Sequence, residues 1–283
     1  MEIIATPAAM RSFSSSERTA GRTIALVPTM GALHAGHLEL IAEARQRCDS
    51  VVVSIFVNPL QFNRTDDFDA YPRVLDADLD ACREAGVTAV YSPTAQTMYP
   101  NGFDTFVEPA GLAAPFEGAG RPGHFRGVTT VVAKLFNAVR PDVAVFGEKD
   151  FQQLAIVRRM ALDLDMGVDV VGLRTVREPD GLAMSSRNRR LDPTNRAAAL
   201  VVPAALDAVV DAVSAGERSV EALRRAGEAV VAGEPLARLE YLGIADPDTL
   251  QALDSLHDVT TAVVLIAVWF GEIRLIDNRI LTP

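Results

Sequence analysis

Pro28-Thr29-Met30-Gly31-Ala32-Leu33-His34-Ala35-Gly36-His37 joins an apolar run at 23–27 to an amphipathic pattern at 38–47. An apolar run closed by Pro-x-x-Gly reads as a buried strand that stops, and the period after it reads as a helix. Strand, loop and helix in this order open a βα unit of a parallel sheet. The His-x-Gly-His at the junction sets two imidazoles at a helix N-terminus, whose unpaired backbone N–H groups and partial positive charge attract phosphate. Gly36 carries no side chain where a nucleotide presses on the backbone. The chain has four histidines, and two of them lie in this junction. A metal pair is the other reading of clustered imidazoles, but no further His or Cys cluster completes a zinc shell. The stretch therefore reads as a nucleotide-handling site that uses histidine where P-loop proteins use a lysine and a glycine-rich cradle.

The first half of the chain repeats this alternation. Further strand candidates fall at 51–57, 88–91, 143–146 and 168–171, with helical patterns at 75–85, 128–139 and 151–164. Val51-Val52-Val53-Ser54-Ile55-Phe56-Val57 is apolar at nearly every position, as a strand buried on both faces must be. The expected fold class is α/β: a Rossmann-like, doubly wound parallel sheet over 1–175, with ligands at the carboxyl ends of its strands. Past Val176 the texture changes. Arg177-Glu178-Pro179-Asp180-Gly181 is a turn-rich break, and Ala/Val-rich helices are expected at 193–214 and 219–231, with Pro203 bending or interrupting the first. Strand-like segments at 238–244, 261–270 and 272–276 complete a smaller α+β C-terminal domain over 176–283.

Composition narrows the function classes. The 283 residues are 49% hydrophobic and 23% charged, ordinary for a globular protein with room for two cores. A net charge of −10 argues against a nucleic-acid partner, because phosphate backbones demand clustered Lys and Arg. Cys48 and Cys82 form no Cys-x-x-Cys and are expected to be inert small hydrophobes in a reducing cytoplasm. The N-terminus lacks the basic start and apolar core of a signal peptide. The run at 262–270 falls short of the ~20 residues that span a bilayer, so it reads as a buried strand and no membrane partner is expected.

Four other groupings carry chemistry. Asn58-Pro59-Leu60-Gln61 ends the second strand with two carboxamides, which bind a polar substrate without carrying charge. Gly147-Glu148-Lys149-Asp150 follows the fourth strand candidate and leads into a helix bearing Gln152 and Gln153; such a lysine reaches phosphate oxygens as a point charge. Met184-Ser185-Ser186-Arg187 offers two hydroxyls and a guanidinium able to grip a polyphosphate, although a linker with a helix cap has the same composition. Tyr71-Pro72-Arg73 precedes Asp76, Asp78 and Asp80, which fit either a Mg²⁺ brought in by nucleotide or a plain solvated helix face.

A His-x-Gly-His after the first strand, with a Met-Ser-Ser-Arg arm after the last strand of the sheet, resembles the nucleotidyltransferase superfamily. Within it the chain resembles the pantoate–β-alanine ligase family, through PTMGALHAGH (28–37), VSIFVNPLQF (53–62), DAYPR (69–73), RPGHFRGV (121–128), RPDVAVFGEKDFQQL (140–154) and VREPDGLAMSSRNRRL (176–191). The resemblance implies ATP-dependent condensation of pantoate with β-alanine through a pantoyl adenylate, in a cytoplasmic homodimer. It implies that Met30 to His37 line ATP (Met30, Gly31, Ala32, Leu33, His34, Ala35, Gly36, His37), together with Gly147, Glu148, Lys149, Asp150, Val176, Met184, Ser185, Ser186 and Arg187. His37, His34 and Lys149 would be catalytic. Gln61, Gln153 and Asn58 would bind pantoate, with Gln61 also near β-alanine. Mg²⁺ would travel mainly on the ATP phosphates with Asp78 as a partner, since Ala77 and Ala81 interrupt the acidic pattern of that helix. Two rivals remain on the residues alone: a nucleotidyltransferase that stops at a nucleotide-linked product, and a non-catalytic nucleotide-binding module. The first needs no amine acceptor, and the second has no use for paired histidines.

Overall fold

The computed structural model describes residues 1–283. Six short, apolar strands form one parallel sheet: β1 (Glu2–Ile4), β2 (Ile24–Thr29), β3 (Ser50–Ile55), β4 (Ala89–Tyr91), β5 (Val143–Gly147) and β6 (Asp169–Leu173), in the order β1-β4-β3-β2-β5-β6. Side chains alternate across a strand, so β2 feeds two cores. Ile24 and Leu26 pack with Val52 against the helices Pro7–Thr19, His124–Val139 and Phe151–Asp163. Ala25 and Val27 pack with Val51, Val53 and Ile55 against the helices Ala35–Arg47 and Leu75–Glu84. Helices on both faces make this the doubly wound α/β class.

The order reverses at β2, where β3 and β4 extend to one side and β5 and β6 to the other. In such sheets the crevice at the carboxyl ends beside the reversal is where ligands bind. The Pro28–His37 stretch leaves β2 at that point. The strand β1 and the helix Pro7–Thr19 were not singled out from the sequence; three residues of edge strand carry too little pattern to read.

Two units divide the chain. The first holds residues 1–113, 118–148 and 153–174; the second holds 114–117, 149–152 and 175–283. A single boundary between 175 and 176 misses the two four-residue segments, which include Lys149. In the second unit β7 (Ala237–Ala245), β8 (Ala262–Phe270) and β9 (Ile273–Leu281) form an antiparallel sheet in that order. The strand β9 runs five residues past its expected end, because Asp277 and Asn278 break the apolar pattern without breaking the pairing. Its core contains Val202, Leu206 and Val209 of the helix Val201–Ser214 and Leu223 of the helix Val220–Ala232. The stretch Pro193–Ser214 has the length and apolarity of a membrane span, but it is two helices whose buried faces belong to this core. Pro203 lies in the first turn of the second helix, where its missing N–H leaves no gap.

Candidate active site

In the first unit the loop after β2 is shaped by its backbone. Thr29 donates its hydroxyl to the Ser54 carbonyl (2.8 Å) and accepts from the Gly31 N–H (3.1 Å). Gly31 has φ +83°, and a Cβ there would lie 2.8 Å from an Asp78 oxygen and 3.2 Å from Ile55. Only glycine fits both the left-handed conformation and the close approach. Asp78, on the helix Leu75–Glu84, is 3% exposed and receives the Ala32 N–H at 2.9 Å on one oxygen and the Leu33 N–H at 2.7 Å on the other. Asp78 thus has a structural task besides the Mg²⁺ partnership expected of it. Its carboxylate holds the histidine loop, and no group of three His, Cys, Asp or Glu side chains stands anywhere as a metal cage.

The two roles can be told apart. Asp78→Asn puts an amide N–H₂ against one of two backbone donors, leaving a buried group unsatisfied at a cost of ~1–3 kcal/mol. Turnover is expected to fall by about tenfold through the misplaced loop. A rise in the Mg²⁺ concentration for half-maximal rate marks the metal partnership, and an unchanged one leaves only the hold on the loop.

His34 is the N-cap of the helix Ala35–Arg47, and His37 is its third residue. The Gly36 N–H donates to His34 Nδ1 (3.1 Å) and the His34 N–H donates to His37 Nδ1 (3.3 Å), a capping box built from imidazoles. A backbone N–H can only donate, so both Nδ1 atoms are acceptors and each neutral ring carries its proton on Nε2. The rings lie 4.1 Å apart at 41°. The sequence places two imidazoles here; the structure adds that both are Nε2–H donors at a helix N-terminus.

Met30 and Gln61 meet in the same unit, the Gln61 Nε2 donating to the Met30 sulfur at 3.2 Å. Gln61 Oε1 accepts from Asn58 Nδ2 (2.9 Å), which also donates to the Gly127 carbonyl (3.1 Å). Asn58 Oδ1 accepts from the Leu60 N–H (3.3 Å) and the Tyr99 hydroxyl (2.8 Å). Burial pushes the Tyr99 phenol well up, which keeps it a donor. All four hydrogen-bonding positions of Asn58 are thus engaged and the residue is 1% exposed. These bonds make Asn58 a support for the Gln61 side chain. Gln153 is half-buried near the start of the helix Phe151–Asp163.

The 121–128 motif supplies two further partners of Gln61, which no local pattern in the sequence assigns. His124 Nδ1 donates to the Gln61 carbonyl at 2.8 Å, Arg121 donates to the same oxygen at 3.3 Å, and Arg121 lies 3.1 Å from His124 Nε2. The main chain of Gln61 is clamped by Arg121 and by His124, the first residue of the helix His124–Val139, as its side chain is clamped by Asn58. Gly127 permits it, because a Cβ there would stand 2.3 Å from the Leu60 carbonyl oxygen. That glycine three residues after the histidine, on a helix otherwise filled with Val, Thr and Phe, was the available signal.

In the first unit β5 ends at Gly147, followed by Glu148. In the second unit Lys149 lies in a 3-10 turn, its Nζ 3.7 Å from Asp150. The Met184–Arg187 arm leaves a hairpin in which Arg177 bridges Ala183, the Glu178 N–H donates to the Leu182 carbonyl and the Met184 N–H to the Val176 carbonyl (3.0 Å). Val176 therefore holds the arm by its backbone. Ser185 caps the short helix Ser186–Arg190 by accepting from the Arg187 N–H at 3.2 Å. Asn188 donates to Glu178 and to the Ala183 carbonyl, which closes the hairpin onto its own exit.

A parallel sheet in which the helix after the central strand β2 opens on His-x-Gly-His is the arrangement of the nucleotidyltransferase class. The chain belongs to the pantoate–β-alanine ligase family, whose family model matches residues 2–280. It is 48% identical over 281 residues to the pantothenate synthetase of Moorella thermoacetica and 50% identical over 281 residues to that of Geotalea uraniireducens, each match covering 99% of both chains. A solved pantothenate synthetase from Thermus thermophilus superposes with a TM-score of 0.94 at 46% identity, covering all of both chains. A pantoate–β-alanine ligase from Francisella tularensis, solved with β,γ-ATP and β-alanine, gives a TM-score of 0.81 at 32% identity, covering 99% and 97%.

Proposed function

We propose that this chain condenses pantoate with β-alanine at the expense of ATP. A carboxylate oxygen of pantoate attacks the α-phosphorus, the bond to pyrophosphate breaks, and pantoyl adenylate forms. The amine of β-alanine then attacks the acyl carbon; the C–N bond forms, the bond to AMP breaks, and nitrogen loses a proton. The adenylate is needed because a bare carboxylate has no leaving group. The observation that carries this reading is the pair of Nε2–H imidazoles at the helix N-terminus after β2. They supply neutral donors, backed by the helix dipole, to phosphate oxygens that gain charge as pyrophosphate departs.

Lys149 and Ser185, Ser186 and Arg187 hold the outer phosphates in this proposal, with Asp150 and Val176 on the nucleoside side. Gln61 and Gln153 hold pantoate by neutral amides. A bidentate arginine would stabilise the carboxylate that must attack phosphorus, so amides orient it at less cost to its reactivity. Mg²⁺ enters mainly on the nucleotide in this reading, with Asp78 as its protein partner. The protein works as a cytoplasmic homodimer in this reading, as the family resemblance implies.

With labelled pyrophosphate, exchange into ATP is expected when pantoate is present and β-alanine is absent. Exchange that needs β-alanine, or that runs without pantoate, contradicts a pantoyl adenylate.

A further inference from the structure

The strand β9 lies far along the sequence from every motif discussed above, yet in the second unit it holds two of them. Side chains at 275, 277 and 281 follow one register, and Leu275 and Leu281 belong to the apolar core. Asp277 occupies a core position in that register and is 2% exposed, which a lone carboxylate would not tolerate. Arg177 answers it with a two-pronged pair, 2.7 Å and 2.9 Å, and also donates to the Gly181 carbonyl at 3.0 Å. The hairpin that carries Met184–Arg187 is thereby tied to β9 at its base and its tip. The next residue, Asn278, is 6% exposed; its N–H donates to Asp277 (2.7 Å), and its side-chain amide donates to the carbonyl of Lys149 (3.0 Å).

We propose that Asn278 is a positioning residue for Lys149. Its amide fixes the lysine's main chain, and the Asp277–Arg177 pair fixes the arm to the adjoining position, so one step of β9 sets the lysine and the arm in register with each other. The physical need is plain. A lysine side chain has four rotatable carbons and gives phosphate a point charge, so its aim depends on how firmly its Cα is held. A backbone carbonyl in a short 3-10 turn has no long helix to hold it, and a side chain from an edge strand supplies the constraint. The proposal rests on the phosphate role given to Lys149.

The test is a double-mutant cycle read on pantoate-dependent pyrophosphate exchange. Asn278→Asp keeps the shape but turns a donor into an oxygen facing the Lys149 carbonyl. Alone it is expected to slow exchange about tenfold or more by misplacing the lysine, and to leave aminolysis of preformed pantoyl adenylate within about threefold. In the Lys149→Ala background the same substitution is expected to cost no more than about twofold, since two residues acting as one unit are not additive. Additive losses, or equal losses in both half-reactions, overturn the proposal by showing a general structural role. Asn278→Ala, which removes the donor without adding charge, is run in the same cycle and must give the same non-additivity if the aspartate variant does not fold. If Lys149→Ala itself leaves exchange intact, the phosphate role of Lys149 fails. If Lys149→Ala abolishes exchange while both Asn278 variants match the wild type, only the positioning role fails.

Discussion

His37→Ala is expected to slow adenylation by on the order of 10²- to 10⁴-fold, the range for a positioned acid–base group. Two things leave with the imidazole: the Nε2–H donor, and the Nδ1 that accepts the His34 N–H at 3.3 Å. The second loss weakens the cap of the helix Ala35–Arg47 by about 1 kcal/mol, which lowers the melting temperature slightly and leaves the fold in place. The helix stays anchored by Leu40, Ile41 and Ala44 in the core. Circular dichroism and turnover both unchanged would remove His37 from the mechanism.

Lys149→Ala comes next in size, with a loss of about 10²-fold or more in pyrophosphate exchange. The charge on the outer phosphates grows as they leave, so a cation aimed there lowers the barrier more than it tightens ground-state binding. Aminolysis of preformed pantoyl adenylate should be nearly spared, because pyrophosphate has gone by then. Equal losses in both halves would make Lys149 structural.

How much of this could be read from the chain depended on whether the cause was local. The junction at 28–37 was legible because strand, turn, glycine and histidine are neighbours in sequence. The parallel sheet was legible because β3 is buried at every position and shows it as an unbroken apolar run. The hold of Asp78 on the histidine loop was not legible, because an acidic helix face looks the same whether it faces water, a metal or a loop 45 residues away. Asn58 was half-read: its carboxamide was noticed, but its partners Tyr99 and Gly127 lie 41 and 69 residues off. The roles of Arg121 and His124 had the same obstacle. Asp277 did leave a trace, a charge at a core position of an apolar strand, and that pattern should prompt a search for a buried arginine.

The same long reach of β9 fixes an order of events during synthesis. Arg274 pairs with Glu117, 157 residues earlier, and Asn278 reaches Lys149, 129 residues earlier. A chain leaving the ribosome exposes Glu117 and Lys149 long before either partner exists, and closing such loops is slow even when both ends are present. The residues of the parallel sheet are all made by Leu173, so that layer has its full sequence while the second unit is still being translated. A nascent chain halted before Asn278 therefore carries the histidine pair with an unfixed lysine. On the positioning role proposed for Asn278, nucleotide activation reaches its full rate only once the polypeptide has run through β9.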